Sequence, residues 1–305
     1  MRIEQISAND TLTQQVVRGM ISRSTVLEFA EFYSITGNAD YSRKAATASG
    51  GQFRALDADY PSNIVSQTFV NPVLRILGDK IQVDRAHERR GLDIASVRAR
   101  ELMNFGLNLG KQLQYYFFNG TGASNQFSGL KLIVPSARKI TAATNGLSVP
   151  LGNDTASKTA QQNFLELINQ LIQRVDGGAQ ILYMNSKALS RLTTIAREFI
   201  QWQPNTFGQL IPYYNGVPIR DAGYDRTGTL VIPQNETVGT STDCTSIYAM
   251  RFGEGADLSL ATNIGVEVKD LGLIGVHYIH SVEFDADLVL LNDLAVGRLE
   301  GIRLP

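Results

Sequence analysis

The chain has 305 residues, 43% of them hydrophobic and 19% charged, enough apolar side chain for one large or two modest cores, which excludes a wholly disordered polypeptide. Its 28 Lys and Arg against 29 Asp and Glu leave a formal net charge of −1, so no global field draws it to nucleic acid, and the single cysteine, Cys244, excludes an intramolecular disulfide framework. The N-terminus lacks a basic-then-apolar signal pattern and no apolar run approaches the roughly 20 residues that span a bilayer, so cytoplasmic synthesis and assembly without membrane contact are expected.

Residues 1–20 mix Gln, Asn, Ser and Thr with spaced aliphatics and read as an arm or short helix with little core of its own. The spacing of Val26, Leu27, Phe29 and Ala30 predicts a short helix from Ser24 to Tyr33, ended by Thr36-Gly37-Asn38. Gly37, Gly50, Gly51 and Pro61 stand among small residues over 37–63, after which strand-like composition returns. Pro72 cannot donate a ladder hydrogen bond and so marks an edge, bulge or bend. Residues Gly50 to Arg90 therefore read as a long, lightly cored hairpin excursion that needs a partner surface.

The strongest periodicity runs from Asp93 to Phe118. Ile94, Val97, Leu102, Phe105, Leu109, Leu113 and Tyr116 advance near the helical period, Asp93 is placed to cap the N-terminus, and Asn119-Gly120 supplies a stop. At about 1.5 Å per residue this segment is a rod about 39 Å long, a structural spine. A second unit begins near Gly129, with a Ser/Thr/Gly/Asn-rich stretch over 135–158 and a helix from Asn163 to Val175 ended by Gly177-Gly178.

Ile181 to Met184 reads as a strand, and Ser186 to Ile200 as a helix burying Leu189, Leu192, Ile195, Ala196 and Phe199. The alternation of strand and helix argues for a mixed α+β fold. Gln203-Pro204-Asn205 ends that pattern, Tyr214-Asn215-Gly216-Val217-Pro218 reads as a tight turn, and 235–245 as polar loop. From Ser246 the chain reads as sheet over 247–252, 265–268, 276–291 and 295–304. Within it Val282, Phe284, Ala286 and Leu288 alternate with Ser281, Glu283, Asp285 and Asp287, which predicts one buried face and one face presenting acids.

No reactive constellation emerges. Gly120-Thr121-Gly122 follows a helix, whereas a dinucleotide fingerprint follows a strand, and it lacks the Lys-Ser/Thr of a phosphate loop, so it reads as a structural transition. His277 and His280 point to opposite faces of a strand and do not converge on a metal, and His280 shares the apolar parity; His87 stands apart. Glu283, Asp285 and Asp287 repeat at about 6.6 Å, too far apart to share one cation, and read as a solvated or salt-bridged face. Residues 80–111 carry a local basic excess that includes Arg85, Arg89 and Arg90, suited to an acidic strand in the same or a neighbouring subunit. No sustained basic tract or reading motif supports direct nucleic-acid recognition. Cys244 has no base beside it, and Trp202, Tyr213 and Tyr214 suit a subunit contact or local packing equally. No nucleophile elbow, HExxH or triad is present, so no enzyme activity, metal site or cofactor is expected. Arg54 and Phe69 in the excursion join Arg85, Arg89, Arg90, Trp202, Tyr213, Glu283, Asp285 and Asp287 as candidate assembly contacts.

The order of these elements resembles the major capsid proteins of tailed phages, whose fold is shared with encapsulin shell proteins. The resemblance rests on the extended segment before the spine, the exit Phe118-Asn119-Gly120-Thr121-Gly122 with Gln126 and Gly129-Leu130, the turn Tyr214-Asn215-Gly216-Val217-Pro218-Ile219, the run Tyr248-Ala249-Met250-Arg251-Phe252-Gly253, and the closing strand-rich block. It covers about residues 20–305, and its specificity lies in the order. It implies an N-terminal arm (1–36), an extended β-hairpin loop (37–90), a discontinuous peripheral domain (91–130 and 245–305) and an axial domain (131–244). It also implies a non-enzymatic subunit that forms hexamers and pentamers closing an icosahedral shell. That shell would be a virion capsid around packaged double-stranded DNA, contacted non-specifically at most, with a portal and separate scaffolding or decoration proteins as partners. Some relatives join a loop lysine to an asparagine; Lys80 lies near the loop's return but no matching constellation accompanies it, so non-covalent assembly is expected. An encapsulin-like compartment shell and a soluble hydrolase with a site in 131–244 are the alternatives.

Overall fold

The computed structural model describes residues 1–36, 42–44, 53–60, 68–204 and 208–305; the parts of the predicted excursion at 50–52 and 61–67, and Asn205 of the predicted stop, lie outside these. In chain order α1 (Ile3–Ile6) and α2 (Thr11–Arg23) precede the short strands β1 (Phe32–Ser34), β2 (Ser42–Lys44) and β3 (Thr68–Val70). Then come β4 (Arg75–Asp84), α3 (Ala86–Arg89) and the spine α4 (Ile94–Asn119), followed by α5 (Leu130–Ile133), β5 (Lys139–Thr141) and β6 (Leu147–Ser148). The central part holds α6 (Thr155–Arg174), β7 (Ile181–Met184), α7 (Ser186–Ile195), β8 (Ile200–Pro204), β9 (Leu210–Tyr214) and β10 (Val217–Asp221). The chain closes with β11 (Glu236–Val238), β12 (Ser241–Met250), β13 (Leu258–Thr262), β14 (Val266–Ile274), β15 (His277–Leu290) and β16 (Val296–Arg303).

Two larger sheets organise these elements. In the five-stranded sheet β15, 14 residues long, pairs antiparallel with β4, β13 and β14, and β1 adds parallel to β13. The nine-stranded sheet runs β5-β16-β12-β7-β10-β9-β8, with β11 on β12 and β6 on β16. β7 shows why this sheet reads as an unbroken apolar run. Its Leu182 and Met184 enter the core beneath α6 and α7, while Ile181 and Tyr183 enter the core that holds the end of the spine. Both faces are covered, so alternation is lost. The sheet pairing also differs from the grouping of 245–305 with the spine, because β12 pairs with β7 and β16 with β12. Only β13, β14 and β15 of that C-terminal block belong to the five-stranded sheet.

The N-terminal segment is the largest departure from the sequence reading. It forms a helix, one of its two readings, but not one with little core: Ile3, Val16, Val17 and Met20 are all buried in the core that surrounds the spine. Asp10 caps α2 by accepting from the Thr13 amide at 3.0 Å. The helix then crosses α4 where both lack side chains, so that a Cβ placed on Gly19 would lie 3.2 Å from the Gly106 Cα. Dispersion contacts between two backbones replace the usual interdigitating side chains. The segment also covers a sheet edge: the Ser7 and Thr13 hydroxyls accept from the β14 amides of Val266 and Val268 at 3.1 and 3.3 Å.

Other differences have local causes. Residues 24–33 form a turn and then β1, because Phe32 and Tyr33 pair with Leu260 and Ala261, a partner strand over 200 positions away. The α6 helix starts eight residues early because Asp154 caps it by accepting from the Ser157 amide at 3.0 Å. The α7 helix stops at Ile195 because Ile200–Pro204 pairs with β9, which leaves Phe199 62% exposed instead of buried. The predicted turn at Asn215-Gly216 is present, both residues having positive φ (49° and 78°) as a two-residue hairpin requires.

Candidate assembly surface

The excursion is narrower than the sequence reading made it. Its return strand β4 is fastened within its own chain, in register with β15 from Arg75↔Ala286 to Asp84↔His277. Earlier in the chain, β2 and β3 pair from Ser42↔Val70 to Lys44↔Thr68, and 53–60 lies between these two strands in sequence. All eight residues of 53–60 are exposed, among them Phe53, Leu56 and Tyr60. The segment is nevertheless shaped: the Arg54 guanidinium lies 5.3 Å from the Tyr60 ring centroid and donates to the carbonyls of Ala55 (3.3 Å) and Ala58 (3.2 Å). A locally ordered turn carrying three bare apolar side chains is a surface without its counterpart.

The other predicted contacts divide into free and engaged groups. Phe69 is exposed on β3, and Arg89 and Arg90 are exposed at the end of α3. Arg85 is half-buried, its amide donating to the Val276 carbonyl at 2.9 Å. The acids of β15 do not form one uniformly presented row. Glu283 is exposed and accepts from the Ser281 hydroxyl at 3.2 Å. Asp285 accepts from the Asn263 amide side chain at 3.0 Å, and Asp287 from the Val73 backbone amide at 2.9 Å. Burial pushes the Asp287 carboxyl above the usual carboxylate range. The parity was right, but the loop before β4 reaches one end of the face through the Val73 amide.

On the nine-stranded sheet, Trp202 stands opposite Pro212 and Pro204 opposite Leu210, so one face of the β8–β9 hairpin carries Trp202 (57% exposed) and Leu210 (65% exposed). Tyr213 is half-buried beside it. Sequence reasoning missed Leu210, and it also missed Phe53, Leu56 and Tyr60; their only signal was large apolar side chains in polar, small-residue surroundings. It likewise missed the tip of the β14–β15 hairpin, where Leu271, Leu273, Ile274 and Val276 are all exposed.

The interior polar groups are engaged in holding the fold together. Arg298 is buried and donates to Glu236 (3.0 Å) and to the Ser246 hydroxyl (3.1 Å), while Lys131 approaches the other Glu236 oxygen at 3.3 Å. Buried Arg191 donates to the carbonyls of Val149 and Pro305, tying down the end of β16. At the spine exit, the Gly120 amide donates to Tyr116 and the Gly129 amide to Gly120, which makes Gly120-Thr121-Gly122 a structural closure. His280 is buried and accepts from the Arg98 Nε at 3.0 Å; Arg98 also pairs with Asp270. Cys244 is buried, and burial raises its thiol above the ordinary value. Among the described residues no group of three or more His, Cys, Asp or Glu could hold a metal ion, and no helix is long and apolar enough to cross a membrane.

No protein-family model and no curated protein gives a significant sequence match to the chain. Solved structures do resemble it along nearly its whole length. The holo-SrpI encapsulin complex from Synechococcus elongatus PCC 7942 superposes with a TM-score of 0.62 at 12% identity, covering 98% of this chain and 94% of that one. The capsid of the native GTA particle gives 0.62 at 11% identity, covering 97% and 93%. The head of Helicobacter pylori bacteriophage KHP40 gives 0.60 at 10% identity, covering 91% and 90%. The chain has the mixed α+β fold common to phage capsids and encapsulin shells.

Proposed function

We propose that this protein is a shell-forming subunit, and specifically the major capsid protein of a tailed phage, assembling non-covalently through hexamers and pentamers around double-stranded DNA. The observation that carries the reading is the segment 53–60, ordered by its own Arg54–Tyr60 contact while Phe53, Leu56 and Tyr60 stand exposed among the described residues. The resemblance to shell proteins implies that an adjacent copy supplies their cover, and a contact between unlike patches repeats around a ring until it closes. In this account the spine with the five-stranded sheet is the peripheral unit, the nine-stranded sheet with α6 and α7 is the axial unit, and Trp202 and Leu210 lie on contacts between axial units. Arg89 and Arg90 remain candidate contacts to a neighbour or to the enclosed polymer. Portal, scaffolding and decoration proteins are proposed partners, and the virion capsid, assembled in the host cytoplasm, the proposed location.

A compartment shell is the second reading, supported by the encapsulin's TM-score of 0.62, equal to that of the GTA capsid. Electron microscopy of the purified protein tests both. Closed particles are expected; a monodisperse monomer at high concentration contradicts shell formation. Particles from the native source that hold DNA favour the capsid, and particles that hold an enzyme favour the compartment.

A further inference from the structure

Three groups meet where the first turns of the spine lie over the five-stranded sheet: Arg98 of α4, Asp270 of β14 and His280 of β15. Arg98 donates from Nε to His280 Nε2 at 3.0 Å, pairs through its terminal nitrogen with Asp270, and lies 5.0 Å from the Tyr278 ring centroid. An arginine has only donors, so this geometry fixes the imidazole: Nε2 must carry the lone pair and the proton must sit on Nδ1. That Nδ1 is buried without a hydrogen-bond partner, 3.8 Å from an Asp270 oxygen. From the third element packed against it, β4, His280 meets the apolar Ile81. The charged groups that face it are thus one cation already committed to Nε2 and one anion beyond bonding distance.

We propose that His280 is an acid-released latch: neutral, it holds the first turns of the spine to the β14–β15 hairpin through Arg98, and a proton taken up on Nε2 frees them. Protonation sets an N–H against the Arg98 N–H, removing the bond and placing two cations side by side. The imidazolium is then drawn to Asp270, the anion that Arg98 now holds, so the two cations compete for one carboxylate. The first two turns of the spine have little else to hold them: of residues 94–101, none is fully buried. Burial first, and then the Arg98 charge, hold the His280 pKa below its ordinary value, with Asp270 opposing. An unfolded histidine protonates near 6.5, so the latch's stabilisation is complete above that pH and is lost as the pH falls below it through the lower folded value. The latch belongs to the subunit and does not depend on the shell reading.

Hydrogen exchange of the full-length protein, corrected for the pH dependence of intrinsic exchange, tests the proposal. Lowering the pH from about 7.5 to about 5 should reduce protection of amides 97–104 roughly tenfold in the unmodified protein, and less than about threefold in His280→Gln, whose amide oxygen accepts from Arg98 without titrating. That variant leaves His87 and His277 in place. Unchanged protection in the unmodified protein, or an equal loss in the variant, overturns the latch. If His280→Gln does not fold, imidazole NMR of the unmodified protein decides: an Nδ1–H tautomer at neutral pH that protonates over the interval of lost protection supports it. An Nε2–H tautomer, or an imidazole still neutral after protection falls, overturns it.

Discussion

The crossing of α2 over α4 and the turn at 53–60 are both built on apolar residues, and they differ in where those residues find cover. At the crossing, Val16, Met20, Leu102, Leu109 and Leu113 are buried within one chain, and Gly19 and Gly106 bring two backbones together. At the turn, Phe53, Leu56 and Tyr60 are spread on an ordered scaffold and exposed among the described residues. The same hydrophobic driving force therefore has two addressees in this reading: within the chain it makes the fold, and under the proposed function the exposed turn directs it toward a neighbouring copy. A substitution at the first place should register as stability, and one at the second as assembly.

Leu109→Asp should have the largest effect on the subunit. A carboxylate in the packed stripe of the spine has no partner, and a loss of about 4 kcal/mol or more leaves little soluble folded protein. Chemical denaturation of any soluble fraction checks this, and an unchanged midpoint would remove Leu109 from the core. Gly106→Val comes next, since its branched side chain meets the α2 backbone; about 2 kcal/mol is expected, read as a lowered thermal midpoint.

Asp287→Asn sharpens the comparison from the opposite direction. Because the folded carboxyl is raised by burial, ionisation works against folding, so Asp287 costs the subunit stability at neutral pH and ceases to cost it in acid. The amide keeps an acceptor for Val73, so the variant should melt higher than the parent at about pH 7 and lose that advantage near pH 3. Equal melting at both values would mean that solvent reaches the carboxyl. Phe53→Ser with Leu56→Ser should have the smallest effect on the subunit, a shift under about 2 °C in the thermal midpoint, while reducing the yield of closed particles severely. Normal particles from this double variant would separate the turn from assembly.

Those expectations also show where the sequence was legible. Asp93 as the spine's cap, Leu102, Leu109 and Leu113 as its buried stripe, the strand at Ile181 and the alternation from Val282 to Leu288 are all local patterns, and the fold keeps them. What was missed depends on distant partners. Phe32 pairs with Leu260, and Gly19 meets Gly106, relations with no trace in a short window. Tyr116 was placed in the stripe, but the last turn lies between two sheets, so Phe117 and Phe118 are buried together. Phe118 packs edge-on to Tyr183 at 5.5 Å and close to Tyr248 at 5.4 Å. The candidate surface was legible as an excursion and at Phe69 and Trp202, which are exposed, but not at Phe53, Leu56, Tyr60 or Leu210, because exposure depends on what the rest of the chain leaves uncovered. Arg54 was named as a candidate assembly contact, whereas the contacts it makes order the turn that displays Phe53.

A photoreactive amino acid placed at Phe53 in otherwise unmodified protein, irradiated after assembly and mapped by mass spectrometry, tests the central claim most directly. Attachment to peptides of a second copy, giving a band of twice the subunit mass on denaturing gels, is the predicted result. Attachment confined to the same chain, in protein that has formed particles, would contradict it.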